Sequence, residues 1–120
     1  MKYISLVLIA LLSISCMKVS ETKYSTASER VFLIITQNTT EAELDKIASE
    51  FKSKKNITVD YSKSEFNEDG TIKHLILEVD CNDGFKGVAE TSEKILTSKN
   101  SGFLRDYSEN SSTPFVIGAM

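Results

Sequence analysis

Near residue 40 the spacing of the apolar side chains changes from that of a strand to that of a helix. Residues 31–36 read VFLIIT, a β-branched and aromatic run that predicts a central strand with both faces partly covered. The next apolar residues share one helix face, at positions i, i+3, i+4 and i+7: Leu44, Ile47, Ala48 and Phe51. Thr40 and Glu43 have capping-box spacing, and lysines cluster just before Asn56. The pattern predicts a strand followed by an amphipathic helix.

Three further strands are indicated downstream. Residues 57–62 alternate between apolar and polar, and residues 67–70 supply a tight turn. The returning strand, 72–81, has two faces. We expect its core face to carry Leu75, Leu77, Val79 and Cys81, and its outer face to carry Ile72, His74 and Ile76. A short closing strand over residues 115–117 follows a proline, which is tolerated only at the start or edge of a strand.

Residues 85–98 decide the fold class, because their apolar residues have helix-like spacing while their Gly, Thr and Ser weaken a helix. As a helix, they complete the order β-α-β-β-α-β, which is the ferredoxin-like α+β plan of an antiparallel sheet with helices on one face. As a strand, they give one helix packed on a larger antiparallel meander. Both alternatives leave one small domain, as expected for 120 residues of which 41% are hydrophobic.

The chain begins with MKYISLVLIALLSISC, a positively charged start and an apolar run. The run between residues 4 and 14 is shorter than the roughly 20 residues that span a bilayer, so it is typical of a secretory signal. Ser15 directly before Cys16 resembles the lipobox of bacterial lipoproteins, although Ser13 stands where that family prefers Leu. The resemblance implies that signal peptidase II removes residues 1–15 and that Cys16 is acylated. The alternative is an ordinary cleaved signal peptide with an incidental cysteine.

These observations predict three regions: a signal peptide over 1–15, a lipidated N-terminus and flexible tether over 16–28, and an α+β domain over 29–120. The expected location is the bacterial cell envelope, with the membrane bound through acylated Cys16 and the choice of inner or outer membrane left open. Lysine and arginine are scattered in a chain of net charge −3, so no nucleic-acid partner is expected.

Cys81 and His74 are the strongest candidates for catalysis. They lie seven positions apart on one predicted strand, which puts them on opposite faces of the sheet, so we expect Cys81 to be a buried apolar residue. Residues 65–72 resemble half of an EF-hand calcium loop, but Ile76 stands where that loop needs a bidentate Glu. One histidine and one remaining thiol do not supply a zinc site. The sequence therefore predicts no catalytic residue, metal or cofactor.

Two surfaces are candidates for binding. The first is the uncovered face of the sheet, which we expect to expose part of the first strand together with Ile72, His74 and Ile76. The second is a short segment after residue 101 that brings together side chains common at interfaces: Phe103, Arg105 and Tyr107. The alternative for this second segment is a loop packed on its own domain. The expected partner is another protein, a small ligand or a second copy of the chain.

Three short motifs, TTEAEL at 39–44, ITV at 57–59 and NEDGTI at 67–72, resemble a small domain of bacterial envelope proteins. That domain also occurs in exported parts of antirepressor-type membrane metallopeptidases, whose catalytic motif is absent here. The predicted element order is also similar to that of subtilase propeptide inhibitors, whose inhibitory tail would correspond to residues 115–120. The sequence thus predicts a non-enzymatic, lipid-anchored envelope protein that binds a protein or ligand, with a propeptide-like protease inhibitor as the alternative.

Overall fold

The computed structural model describes residues 20–120, so the predicted signal peptide and Cys16 lie outside the described residues. The described part contains eight strands and two helices. In chain order they are β1 (Lys23–Ser25), β2 (Arg30–Ile35), α1 (Glu41–Lys55), β3 (Thr58–Asp60), β4 (Glu65–Phe66), β5 (Ile72–Asp80), β6 (Lys86–Ser92), α2 (Glu93–Leu96), β7 (Ser101–Asp106) and β8 (Phe115–Ala119). Neither helix within residues 20–120 has the length and apolar character needed to cross a membrane.

The strands form two antiparallel sheets. Sheet A has the order β1-β2-β7-β8. In sheet B, β5 is the shared strand: β3 and β4 pair along one edge and β6 along the other. The predicted α+β class is confirmed, but the ferredoxin-like topology is wrong because the strands divide between two sheets and their order differs.

The predicted helix over residues 85–98 is also wrong for most of its length. Residues 86–92 form β6, as the meander alternative requires, and only Glu93–Leu96 is helical. Val88, which the helix-like spacing placed in the core, is 62% exposed, while Ala89 and Thr91 are buried. Burial in this segment therefore alternates as in a strand and does not follow the helical spacing. Ser92 begins the short helix α2, because its side chain accepts a hydrogen bond from the backbone N–H of Ile95.

Helix α1 begins and ends as the sequence predicts. The Thr40 hydroxyl accepts from the backbone N–H of Glu43 at 3.3 Å, and the Glu43 carboxylate accepts from the backbone N–H of Thr40 at 3.0 Å. Asn56 ends the helix in the left-handed conformation, with φ of 55°. The predicted stripe is buried at Leu44, Ile47 and Phe51.

The sequence predicts a flexible tether through residue 28, but Lys23–Ser25 within it forms strand β1. Lys23–Ser25 pairs with β2, with Tyr24 opposite Leu33. Tyr24 faces the core, where its ring lies 6.3 Å from that of Phe51 and its hydroxyl donates to the Glu50 carboxylate. Three residues are too few to show a strand period, so the sequence pattern could not indicate this edge strand.

One cluster of buried side chains joins both sheets and α1. It includes all four residues predicted for the core face of β5: Leu75, Leu77, Val79 and Cys81. Because the two sheets share this core, each has an inner face that packs against it and an outer face that points away from it. These are called the outer face of sheet A and the outer face of sheet B.

Candidate functional site

The outer face of sheet B contains an open groove of about 470 Å³. Two cross-strand rows of outward-facing residues form its floor. The rows are Thr58, Asp80 and Lys86, and Asp60, Glu78 and Val88. Lys63 forms an ion pair with Glu78 at 2.8 Å, so one of the acidic groups has a cationic partner. Val88 remains 62% exposed, which makes it the most exposed large hydrophobic residue within residues 20–120.

The same face continues past the groove to Ile76 and His74. Ile76 is opposite Glu90 in the strand register and is half-buried. Its backbone is bridged by Ser64, whose hydroxyl accepts from the Ile76 N–H at 2.9 Å and lies 3.2 Å from the Ile76 carbonyl oxygen. The His74 Nε2 atom lies 2.6 Å from a carboxylate oxygen of Glu90. Two of the three residues predicted for the outer face of β5 therefore lie there.

Ile72 is the exception, because it is 1% exposed and belongs to the core. Opposite β4, the register shifts: Glu65 pairs with His74, whereas Phe66 pairs with Ile72. Lys73 is thus an extra residue on β5 and forms a β-bulge. The bulge turns the Ile72 side chain to the opposite face of the sheet. A strict two-residue period cannot reveal a bulge, so the prediction that Ile72 is exposed is wrong.

The segment after residue 101 is strand β7 and packs on its own domain. Phe103 is fully buried against Phe51, with ring centroids 5.1 Å apart. Arg105 is 9% exposed, and only Tyr107, just past the strand, is substantially exposed at 36%. The expected cluster of three exposed interface residues is therefore reduced to Tyr107.

The Arg105 side chain is held by hydrogen bonds on three of its nitrogen atoms. Its Nε and Nη2 atoms donate to one carboxylate oxygen of Asp83 at 3.1 and 2.7 Å. Its Nη1 atom donates to the backbone carbonyls of Asp106 and Pro114 at 2.7 and 3.1 Å. These bonds join the β5–β6 turn to β7 and to the loop before β8.

Two aromatic rings lie close to the same guanidinium. Its central carbon lies 4.4 Å from the ring centroids of both Phe85 and Tyr107. The Lys55 ammonium lies 5.4 Å from the Tyr107 centroid, which ties the end of α1 to this stack. Since the donors and faces of Arg105 are engaged internally, its arrangement supports the fold and presents little of the guanidinium to a ligand.

The structure does not bring Cys81 and His74 together. Cys81 is buried, and its burial together with the nearby Asp83 carboxylate raises the pKa of its thiol to about 11. His74 lies on the outer face of sheet B with Glu90. A thiol with so high a pKa is almost entirely protonated near neutral pH, so Cys81 lacks the thiolate that nucleophilic catalysis requires.

Residues 65–72 form the predicted hairpin turn. The Asp69 carboxylate accepts from the backbone N–H and hydroxyl of Thr71 at 3.0 and 2.6 Å, and these bonds lower its pKa. Gly70 has φ of 89°, a conformation that favours glycine. Within residues 20–120, no group of three or more His, Cys, Asp or Glu side chains is placed to hold a metal ion.

The outer face of sheet A carries a row of apolar side chains that crosses three strands. Phe32 is opposite Leu104, and Leu104 is opposite Val116. Ile34 lies two positions along β2 from Phe32, on the same side of the sheet. Phe32, Ile34 and Leu104 are half-buried, and Val116 is 39% exposed. We call these four residues the apolar row. The sequence indicated only its first-strand part, because strand register is needed to find the rest.

Two cationic residues flank the β2 part of the apolar row. Lys23 is opposite Ile34, and Arg30 is opposite Asp106, with which it forms an ion pair at 3.4 Å. Hydrogen bonds from Ser108, Ser111 and Arg30 hold the pKa of Asp106 at about 2, so this carboxylate is ionised near neutral pH. Both cationic side chains are exposed.

No protein-family model, curated protein or solved structure matches this chain.

Proposed function

We propose that this chain is a lipid-anchored protein of the bacterial cell envelope, whose folded domain is a binding module rather than an enzyme. The lipobox-like sequence ending at Cys16 supports the anchor. The observation that carries the binding function is the open groove on the outer face of sheet B, where Val88 is 62% exposed. The partner that fits this groove best is another protein, because the groove is shallow and lies across three strands.

The chemistry of the groove suits a protein contact. Val88 and Ile76 lie diagonally across β5 and β6, so they provide neighbouring apolar side chains. The Lys63–Glu78 ion pair and the His74–Glu90 contact place polar groups beside them. An apolar centre within a polar rim is the usual anatomy of a protein interface. Second-copy binding through the same face is a specific form of this proposal.

The protease-inhibitor alternative is less well supported. It depends on residues 115–120 acting as an extended tail that enters a protease cleft. Residues Phe115–Ala119 instead form β8, which pairs with β7 along its length. Phe115 also stacks near Phe85, with ring centroids 6.1 Å apart. Binding a protease through this segment would require the strand to leave its sheet.

Site-specific photocrosslinking in intact envelopes tests the binding proposal. A photoreactive phenylalanine analogue replaces Val88 in the full chain, and the matched control places it at Ala42, which is exposed on α1. We expect a discrete crosslinked product from position 88 and none from position 42. Ile76→Asp in the same chain should weaken that product, because it puts a charge beside the contact.

The size of the product separates the forms of the proposal, since twice the mass of the chain indicates self-association and any other mass a different protein. Equal products from positions 88 and 42, or none from position 88 in an acylated and folded chain, would overturn this binding surface.

A further inference from the structure

We infer that the outer face of sheet A lies against a phospholipid membrane, with the apolar row in the headgroup region and Lys23 contacting anionic lipid beside it. This inference rests on the proposed acylation of Cys16. It adds an orientation: one outer face is turned to the membrane and the other is left for a partner.

Only a short length of chain separates the proposed anchor at Cys16 from the fold. Ser20 is already fixed, because its carbonyl oxygen accepts from the Asn38 side chain at 2.9 Å and from the Thr36 hydroxyl at 3.3 Å. Three residues separate Cys16 from Ser20, so even a fully extended chain spans only about 14 Å. An acylated Cys16 would therefore hold this end of the domain close to the lipid surface, not at a distance from it.

Two surfaces close to Ser20 differ in charge. The start of α1 exposes Glu41 and Glu43. Three residues after Ser20, Lys23 lies opposite Ile34 on the outer face of sheet A. Anionic lipid repels the first surface and attracts the second, so the second is the one expected to turn toward the membrane.

The outer face of sheet A combines apolar side chains with an exposed lysine. The apolar row is contiguous across β2, β7 and β8, and contiguous apolar surface on a small domain marks a contact site. Lys23 has a long aliphatic stem that lets its charged end reach phosphate while the row is buried. Arg30 lies on the same face, but its charge is paired with that of Asp106. Apolar burial combined with cationic attraction is the general basis of interfacial membrane binding.

A fluorescent label on the full, acylated chain tests the inference. Val116→Cys places an environment-sensitive dye on the apolar row, and the matched control is Ile95→Cys on α2, which is exposed to a similar degree at 44% against 39%. The unsubstituted chain provides the labelling blank, since Cys81 is buried. Ser25→Cys, on the same face opposite Phe32, is a second position should the first variant not fold.

The labelled chain is reconstituted in vesicles of phosphatidylethanolamine and phosphatidylglycerol that contain headgroup nitroxide lipid, and its intact mass is measured in parallel. We expect the nitroxide to quench the dye at position 116 and to leave the dye at position 95 unquenched. Lys23→Glu should lower the ratio of docked to undocked domain by about fivefold or more, because one cation near an anionic surface contributes that factor.

The possible failures are distinguishable. An acylated, vesicle-bound chain whose dye at position 116 is quenched no more than at position 95 would overturn the inference and leave the anchor intact. The dye at position 116 could instead be shielded from water without being quenched by nitroxide, with a shielding that increases with protein density on the vesicles. That result would overturn the inference in favour of a second copy on this face. A chain without acyl mass that fails to float with the vesicles would overturn the proposed anchor and the orientation together.

Discussion

Arg105 shows how an isolated side chain can look functional in the sequence and serve the fold in the structure. Neighbouring arginine and aromatic residues are typical of interfaces, and Phe103, Arg105 and Tyr107 have that composition. The alternation of β7 turns the first two inward, where Arg105 binds Asp83 and two backbone carbonyls. Its planar fork of donors and its two flat faces suit this site in a way that lysine cannot reproduce.

Removing this side chain should destabilise the domain substantially. Arg105→Ala leaves Asp83 without its cation and two carbonyls without a donor, so we expect the free energy of unfolding to fall by about 3 kcal/mol. Arg105→Lys should recover only part of that loss. The matched control is Arg30→Ala, because Arg30 also pairs with an aspartate but its side chain is 64% exposed. That control should cost less than about 1 kcal/mol in urea unfolding. Equal losses for Arg105→Ala and Arg30→Ala would contradict the buried role of Arg105.

At the scale of elements, the sequence predicts best where several signals coincide. Helix α1 has its cap, its apolar stripe and its stop in register, and the structure places it between Glu41 and Lys55. Prediction fails where a short or irregular element lacks a period. The bulge at Lys73 reverses Ile72, and the three residues of β1 are too few to alternate visibly. The apolar row could not be predicted in full, because it depends on which distant strands pair, and no local sequence pattern contains that information.

Strand β7 depends on one glycine whose importance the sequence does not show. A Cβ atom at Gly102 would lie 1.9 Å from the Leu33 carbonyl oxygen, and φ is 155° there. Gly102→Ala must therefore move β7 away from β2, and we expect a loss of about 3 kcal/mol in the free energy of unfolding. Gly84→Ala is the matched control, since φ is also positive at 104° but no atom lies within 4 Å. It should lose only about 1 kcal/mol by urea denaturation. A control loss as large as that of Gly102→Ala would show that backbone conformation, not close contact, sets the cost.

At the scale of the whole molecule, the two sheets share one core and present chemically different outer faces. Sheet A exposes the apolar row beside Lys23, whereas sheet B exposes the Lys63–Glu78 ion pair and the His74–Glu90 contact near Val88 and Ile76. In the proposed arrangement, the anchor brings the first face to the lipid and leaves the second available to a partner. This division of roles explains why a small domain would keep apolar side chains on both outer faces.

The proposed envelope location and the proposed membrane orientation both depend on the acylation of Cys16. The decisive measurement is the intact mass and N-terminal peptide of the full chain expressed in a bacterial host and recovered from its envelopes, with Cys16→Ser as the matched control. We expect a chain that begins at Cys16 and carries acyl mass, and a Cys16→Ser chain that signal peptidase II leaves uncut. A chain cleaved elsewhere, or one that begins at an unmodified Cys16, would contradict it.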